Sequence, residues 1–391
     1  MFFIRDMASR IDRERLERNI RALYRLERKQ TFPGWQASAR CAYEALRAEG
    51  FDAELLEFPA DGRTVYQDKC APLGWDCTRM RLTLESRVEG LADPVLADYE
   101  REPLMAVKGS VATPPGGLTA RLVTESQMKA GEDVRGAFVL LDPSTRPWRE
   151  SMRALLDLGA YGWVSDYLEN PLCTPDAVAW INAGTERCAW HVQADDRDFI
   201  AYQITPRTGF RLRAACERGR VTVRAESDGR RYATTLPAVT ALLPGESARE
   251  VWMAGHLYEP LIDDNSNGVA GSIELLRVLR DMAREGVIRL KYSVRVVFAS
   301  EMYGFAAVAE HFGDLAERTL GGINVDAHLD VRQKVGSGMP FRRLIESQAL
   351  DPRRFVELGL GRFVNDAGDL AWLRILEVRR LHGADDLPAV G

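Results

Sequence analysis

Between Val251 and Asp326 three strand-like segments follow one another, and each delivers a metal-binding or proton-moving side chain at its end. The first, Val251-Trp252-Met253-Ala254-Gly255, ends on His256. An acidic, glycine-bearing loop follows, Asp263-Asp264-Asn265-Ser266-Asn267-Gly268, and opens an amphipathic helix pattern. The second segment, Tyr292 to Ala299, is β-branched and delivers Ser300-Glu301-Met302-Tyr303-Gly304. The third, Gly321-Gly322-Ile323-Asn324-Val325, ends on Asp326. Strands alternating with helices of this length predict an α/β fold, a mostly parallel sheet covered by helices on both faces. In open α/β sheets ligands bind outside the carboxyl ends of the strands. His256, Asp264, Glu301 and Asp326 are therefore expected at one edge.

The preceding chain has a different texture. From Asp12 to Glu49 it reads as helical, with Leu16, Ile20, Leu23 and Tyr24 on one stripe and Ala42, Leu46 and Ala48 on another. Thr31-Phe32-Pro33-Gly34 is a turn signal between them. Phe51 to Phe58 alternates as a strand. From Thr64 the chain turns to short strands, proline and glycine, including the one-face-exposed pattern Met80 to Ser86 and the buried run Ala137 to Asp142. After Leu236-Pro237 regular α/β alternation begins.

A chain of 391 residues has ample length for a buried core and predicts more than one domain. Its 46% hydrophobic and 28% charged residues fit a globular protein, and a net charge of −5 gives no support to nucleic-acid binding. No apolar run reaches the ~18 residues of a membrane span, and the first residues break into charge at once, so neither membrane insertion nor a secretion signal is expected. The six cysteines lie apart without a CxxC pair, which suits free thiols and a cytoplasmic location.

Zinc and similar ions take histidine nitrogen and carboxylate oxygen, and a two-metal hydrolase needs one carboxylate placed to bridge. His256, Asp264 and Asp326 fit one such site. His328 would share a strand face with Asp326, whereas His311 and His191 read as structural or surface residues. Asn265 and Ser266 suit the turn into the helix. Neither a dinucleotide nor a P-loop glycine pattern is present.

These residues resemble the clan-MH zinc aminopeptidases, in particular an aminopeptidase-like branch with a protease-associated insert. The resemblance rests on Leu243-Pro244-Gly245-Glu246, Ala254-Gly255-His256 and Asp264-Asn265-Ser266-Asn267-Gly268, and on the late Leu381-His382-Gly383-Ala384-Asp385. It implies N-terminal helices (1–63) that join the catalytic domain, an inserted β-rich module (64–230) and a catalytic α/β domain (231–391). It also implies that Asp264 bridges two zinc ions, that His256 and Asp326 complete one site, that His382 serves the other, and that Glu301 is the general base. The implied activity is hydrolysis of an amide bond at the N-terminal end of a peptide or small peptide-like metabolite.

Two positions depart from the family motif. Met302 stands where a second Glu would bind the second metal, and a thioether is a poor zinc ligand beside oxygen donors. That site is then empty, weak, or completed by Asp263, Asp366 or His328, or else Glu301 itself becomes a ligand. The Asp that orients the imidazole two residues after the His is Tyr258, so Tyr258 or Glu259 would have to replace it. One zinc or two, a homo-oligomer, a single-metal hydrolase or cyclotransferase, and a binding protein on a decayed peptidase fold all stay open.

Overall fold

The computed structural model describes residues 2–326 except 146, 148, 169–170, 173, 182–190 and 263. Three helices lead the chain: α1 (Phe2–Ser9), α2 (Arg13–Glu27) and α3 (Phe32–Ala48). Asp12 caps α2 by accepting from the Arg15 N–H at 3.0 Å. Thr31 caps α3 in the same way through Gly34 N–H. The sequence places a turn at 31–34, but Pro33 and Gly34 form the first turn of α3, where a missing proline N–H leaves nothing unsatisfied. Glycine is needed there because a Cβ would lie 2.3 Å from the Leu26 carbonyl oxygen of α2.

The site-bearing sheet contains β1 (Ala53–Ala60), β2 (Thr234–Leu243), β3 (Ser247–Leu257), β4 (Tyr292–Ser300) and β5 (Thr319–Asn324), in the order β1-β2-β4-β3-β5. Central β3 runs parallel to both β4 and β5. The antiparallel strands β1 and β2 extend the sheet on the side away from β5. Helix α4 (Ser266–Arg284) connects β3 to β4, and α5 (Tyr303–His311) follows β4. Val296 to Ala299 are all fully buried, so both faces of β4 are covered. A Cβ on Gly255 would touch Val269 of α4 and Phe298, whereas a Cβ on Gly304 of α5 would meet Ala299. Neighbouring strand residues point to opposite faces, so α4 and α5 cover opposite sides.

Two ionic locks hold this frame. Buried Glu274 of α4 accepts from Asp12 N–H at 2.7 Å and pairs with Arg15, tying α2 to α4. Within the sheet, Arg295 of β4 grips Glu250 of β3 through two bonds of 2.7 and 2.9 Å, with both groups buried. Arg318 adds a third contact to Glu250 at 3.0 Å.

A second, seven-stranded sheet is built from residues 80–227. Its strands Leu118–Thr124, Ala137–Leu140, Gly162–Ser165 and Ile200–Gln203 are parallel, and Val221–Ser227, Met80–Leu84 and Val95–Asp98 complete it antiparallel. Phe138 and Leu140 join one core while Ala137 and Val139 join another, so this sheet too is covered on both faces. Among the described residues no helix is long and apolar enough to cross a membrane, and Cys41, Cys77 and Cys216 are free thiols.

Removing one partner of a buried ion pair leaves the other charge uncompensated. Glu250→Gln is therefore expected to cost about 3–5 kcal/mol of unfolding free energy. Arg289→Ala, at a pair where Arg289 is 83% exposed, should change it by no more than about 0.5 kcal/mol. Urea denaturation of the two variants checks the contrast.

Candidate metal centre

The strand registers bring the functional side chains level. Ala254 pairs with Asn324, so His256 and Asp326 each lie two residues past the same rung. His256 in turn pairs with Ala299, which puts Glu301 two residues beyond on the neighbouring strand. Val325 N–H continues the ladder by donating to Ala254 O at 2.7 Å. The loop carrying Asp264 is fastened to the same point. Asn265 caps α4 by accepting from Gly268 N–H at 3.1 Å, and its amide donates to Val325 O at 2.9 Å. A Cβ on Gly268 would lie 2.2 Å from Val325 O, so only glycine allows this approach.

The result is a tight cluster. His256 Nε2 lies 3.0 Å from Asp326 Oδ1 and 3.3 Å from Asp264 Oδ1. Ligand atoms of His256, Asp264 and Asp326 all lie within 4.8 Å of one another, and so do those of His256, Glu259 and Glu301. One imidazole nitrogen cannot satisfy two carboxylates. Asp264 Oδ1 is buried with no hydrogen-bond partner, and so is His256 Nδ1. Burial pushes the Asp264 carboxyl up to about 6, with Asp326 adding to the rise. Burial also raises Glu301, and burial together with Asp264 and Glu301 holds Glu259 well above the carboxylate range. Burial opposes the charged form of His256, but Asp326, Asp264 and Glu301 outweigh it and raise its pKa. These groups repel one another unless a cation lies among them. The donor set of one imidazole and several carboxylates fits a divalent ion of the zinc type.

Sequence reading brought His256, Asp264, Glu301 and Asp326 to one edge, and the structure gathers all four there. His382 lies outside the described residues, as do His328, Asp263 and Asp366. Met302 begins α5 with φ 57° and its side chain packs against the hydrophobic core.

The segment after His256 is under strain. Tyr258 has φ 78°, a region that bulky residues rarely enter. Its N–H is held by Glu27 Oε1 of α2 at 2.8 Å, and its ring stacks on Trp35 of α3 at 4.4 Å. Tyr258 is thus a wedge in the core. Glu259 instead approaches the imidazole, with Oε1 3.9 Å from Nδ1. The pocket beside it is lined by Lys108, His191, Tyr258, Glu259, Ser300 and Glu301. Burial lowers the Lys108 ammonium to about 7 against the opposing pull of Glu259. Burial and Lys108 keep the His191 imidazole neutral.

Glu27 and Lys108 escaped the sequence reading, although each left a trace there. Glu27 continues the α2 stripe Leu16, Ile20, Leu23 at helical spacing, a carboxylate on the buried face. Lys108 ends the apolar stretch Leu104-Met105-Ala106-Val107.

Solved structures place the architecture. An aminopeptidase from Aneurinibacillus sp. strain AM-1 superposes with a TM-score of 0.52 at 17% identity, covering 84% of this chain and 73% of its own. A Peptidase M28 precursor from Shewanella amazonensis SB2B gives 0.57 at 16%, covering 81% and 72%. A zinc aminopeptidase from Bacillus subtilis gives 0.51 at 14%, covering 79% and 69%. The fold is that of the zinc aminopeptidases. At these identities the likeness is one of fold. The Arginase family model matches residues 302–386, of which only 302–326 fall among the described residues. No curated protein matches the chain in sequence. On the zinc-aminopeptidase fold, then, the chain presents one imidazole ringed by carboxylates at the strand edge.

Burial raises the Glu27 carboxyl from 4.5 to about 7. The folded chain binds this proton more tightly than the unfolded one. Its stabilising effect is complete below the unfolded value and is lost as the pH climbs through the folded one. Between about pH 4.5 and pH 8, wild type should lose on the order of 3 kcal/mol relative to Glu27→Gln. Unfolding curves of both proteins across that range test the sign and size.

Proposed function

We propose that this chain is a metal-dependent hydrolase that cleaves an amide bond at the N-terminal end of a peptide or peptide-like metabolite. The observation that carries this reading is the convergence of His256, Asp264 and Asp326 at the strand edge, with Glu301 beside them. In this reading those three residues hold the metal, and the motif resemblance adds His382 from outside the described residues. The donor chemistry supports zinc, as do the names of the structural neighbours, one of them a zinc aminopeptidase. Bound there, the ion would polarise the scissile carbonyl and acidify water.

The protein's own groups do the rest. Glu301, raised by burial toward the pKa of a working base, takes the proton from the attacking water and returns it to the leaving amine. The turn at Met302 fixes its position, since Tyr303 N–H donates to Glu301 O at 2.7 Å. Glu259 stands where a carboxylate orients the imidazole from the Nδ1 side. The excess of carboxylates attracts a substrate ammonium and repels a carboxylate, which supports cleavage next to a free N-terminus. The inserted module, protease-associated-like in this reading, brings Lys108 and His191 to the pocket wall. Free thiols support a cytoplasmic setting. A non-catalytic binding protein on a decayed peptidase fold is the second reading. Met302, packed into the core where the motif has a carboxylate, favours it.

Elemental mass spectrometry after zinc loading, with hydrolysis of aminoacyl anilides, separates the two. His256→Ala should lose the metal. Glu301→Gln should keep it and lose roughly 10²- to 10⁴-fold in kcat. Bound metal without any Glu301-dependent hydrolysis favours the binding protein, and a wild-type chain that takes up no metal sinks the hydrolase.

A further inference from the structure

The cluster holds four carboxylates, Glu259, Asp264, Glu301 and Asp326, around His256. The side chain that the motif would use to hold a second ion, Met302, is packed against the core. A protein-borne cation nevertheless reaches the same cavity. Lys108 belongs to none of the site-bearing strands; it follows the short 3₁₀ turn Pro103–Met105 and is only 5% exposed. It lines the cavity shared by Glu259, Ser300 and Glu301. Its Nζ sits 4.3 Å from the centre of the Tyr258 ring and 6.0 Å from that of Trp180, so aromatic faces fix the ammonium in place. Glu259 is the acid that acts on it. A lysine buried merely to fill space is a poor choice, because its desolvation has to be offset where an apolar side chain would carry no such cost.

We propose that Lys108 is a built-in second cation that stands in for a second metal ion, so that the site binds one divalent metal per chain. This rests on the metal-hydrolase reading above. With all four carboxylates ionised around a bound metal, one divalent ion and one ammonium leave a single negative charge. That charge suits the proton which Glu301 must accept, or the ammonium of a substrate N-terminus. A second divalent ion added beside Lys108 would make the cluster net positive, and with Met302 at that position it would lack the carboxylate that the motif supplies. The inserted module thereby becomes part of the chemical site, because it brings the residue that sets the metal count.

The test uses the full-length chain, stripped with chelator and titrated with Co(II). Bound metal is counted by elemental mass spectrometry after gel filtration, and affinity is read by competition with a chromophoric chelator. Wild type and Lys108→Arg, which keeps a positive charge at every accessible pH, are expected to hold one Co(II) per chain. Lys108→Met, close in volume but uncharged, is expected to bind that ion roughly tenfold more tightly, because a neighbouring like charge has gone. A lysine with a packing role alone would leave the affinity unchanged or weaken it on replacement. Two Co(II) per wild-type chain, or no gain in affinity in Lys108→Met, overturns the proposal and leaves the hydrolase reading standing. No Co(II) in wild type removes the hydrolase reading and this proposal with it. If Lys108→Met fails to fold, Lys108→Gln, also uncharged, takes its place in the same affinity comparison, with the same outcome overturning the proposal.

Discussion

Mutual repulsion among carboxylates around one buried imidazole is the constraint that the rest of this structure answers. Two like charges 4 Å apart repel by about 4 kcal/mol at the effective dielectric of a partly buried site. Several such pairs rival the entire stability of a folded domain, roughly 5–15 kcal/mol. Asp264, Asp326, Glu259 and Glu301 would drift apart if their backbones were free to move. The parallel ladder of β3 with β4 and β5 sets His256, Glu301 and Asp326 level with one another. Asn265, bonded both to its own helix and to Val325 O, fixes the loop that carries Asp264. The buried Glu250–Arg295 grip lies farther down the same strands and keeps that register from slipping.

The N-terminal helices take part in the same task. Glu27 and Tyr258 are 231 positions apart, yet the Glu27 carboxylate holds the Tyr258 N–H and also accepts from the Ser38 hydroxyl. That acceptor ties the backbone of the left-handed turn at Tyr258 to α2. Strain of this kind persists where the surroundings over-determine it, and here Trp35 and Phe32 of α3 enclose the ring on two sides.

Much of this was legible in the sequence because it depends on local order. A strand that ends on His, a loop that reads Asp-Asn-Ser-Asn-Gly and a strand that ends on Asp are brought together by any right-handed α/β winding. The periods of 2 and 3.6 that mark strands and helices are backbone properties and need no tertiary knowledge. Even the reach of α3 differs from its sequence reading only in its first turn, where proline and glycine begin the helix instead of breaking it. Glu27 and Lys108 were illegible for the opposite reason. A lone acid on an apolar stripe and a lone lysine after an apolar run gain meaning only from what faces them, and both partners lie far away in sequence.

Burial alone does not separate structural charges from chemical ones, and each group has to be read with its neighbours. Glu250 and Arg295 meet through two bonds, with Thr240 and Trp252 taking further valences, so the group is saturated and has nothing left to offer a ligand. At the strand edge the situation is reversed. His256 Nδ1, Asp264 Oδ1 and Tyr258 Oη are buried polar atoms without hydrogen-bond partners, and each stands within a few residues of the others in the chain. Other buried atoms also lack partners, among them Trp163 Nε1 and Gln203 Oε1 in the second sheet, so what sets this edge apart is that two such atoms belong to one cluster of metal-binding side chains. Lys108 belongs with this second group. Its ammonium is met by aromatic faces and by an acid that the cluster itself supplies, so its charge is directed at the site and not absorbed by the scaffold. The gathering of these groups around one imidazole, more than their number, marks this edge of the sheet as the candidate metal centre.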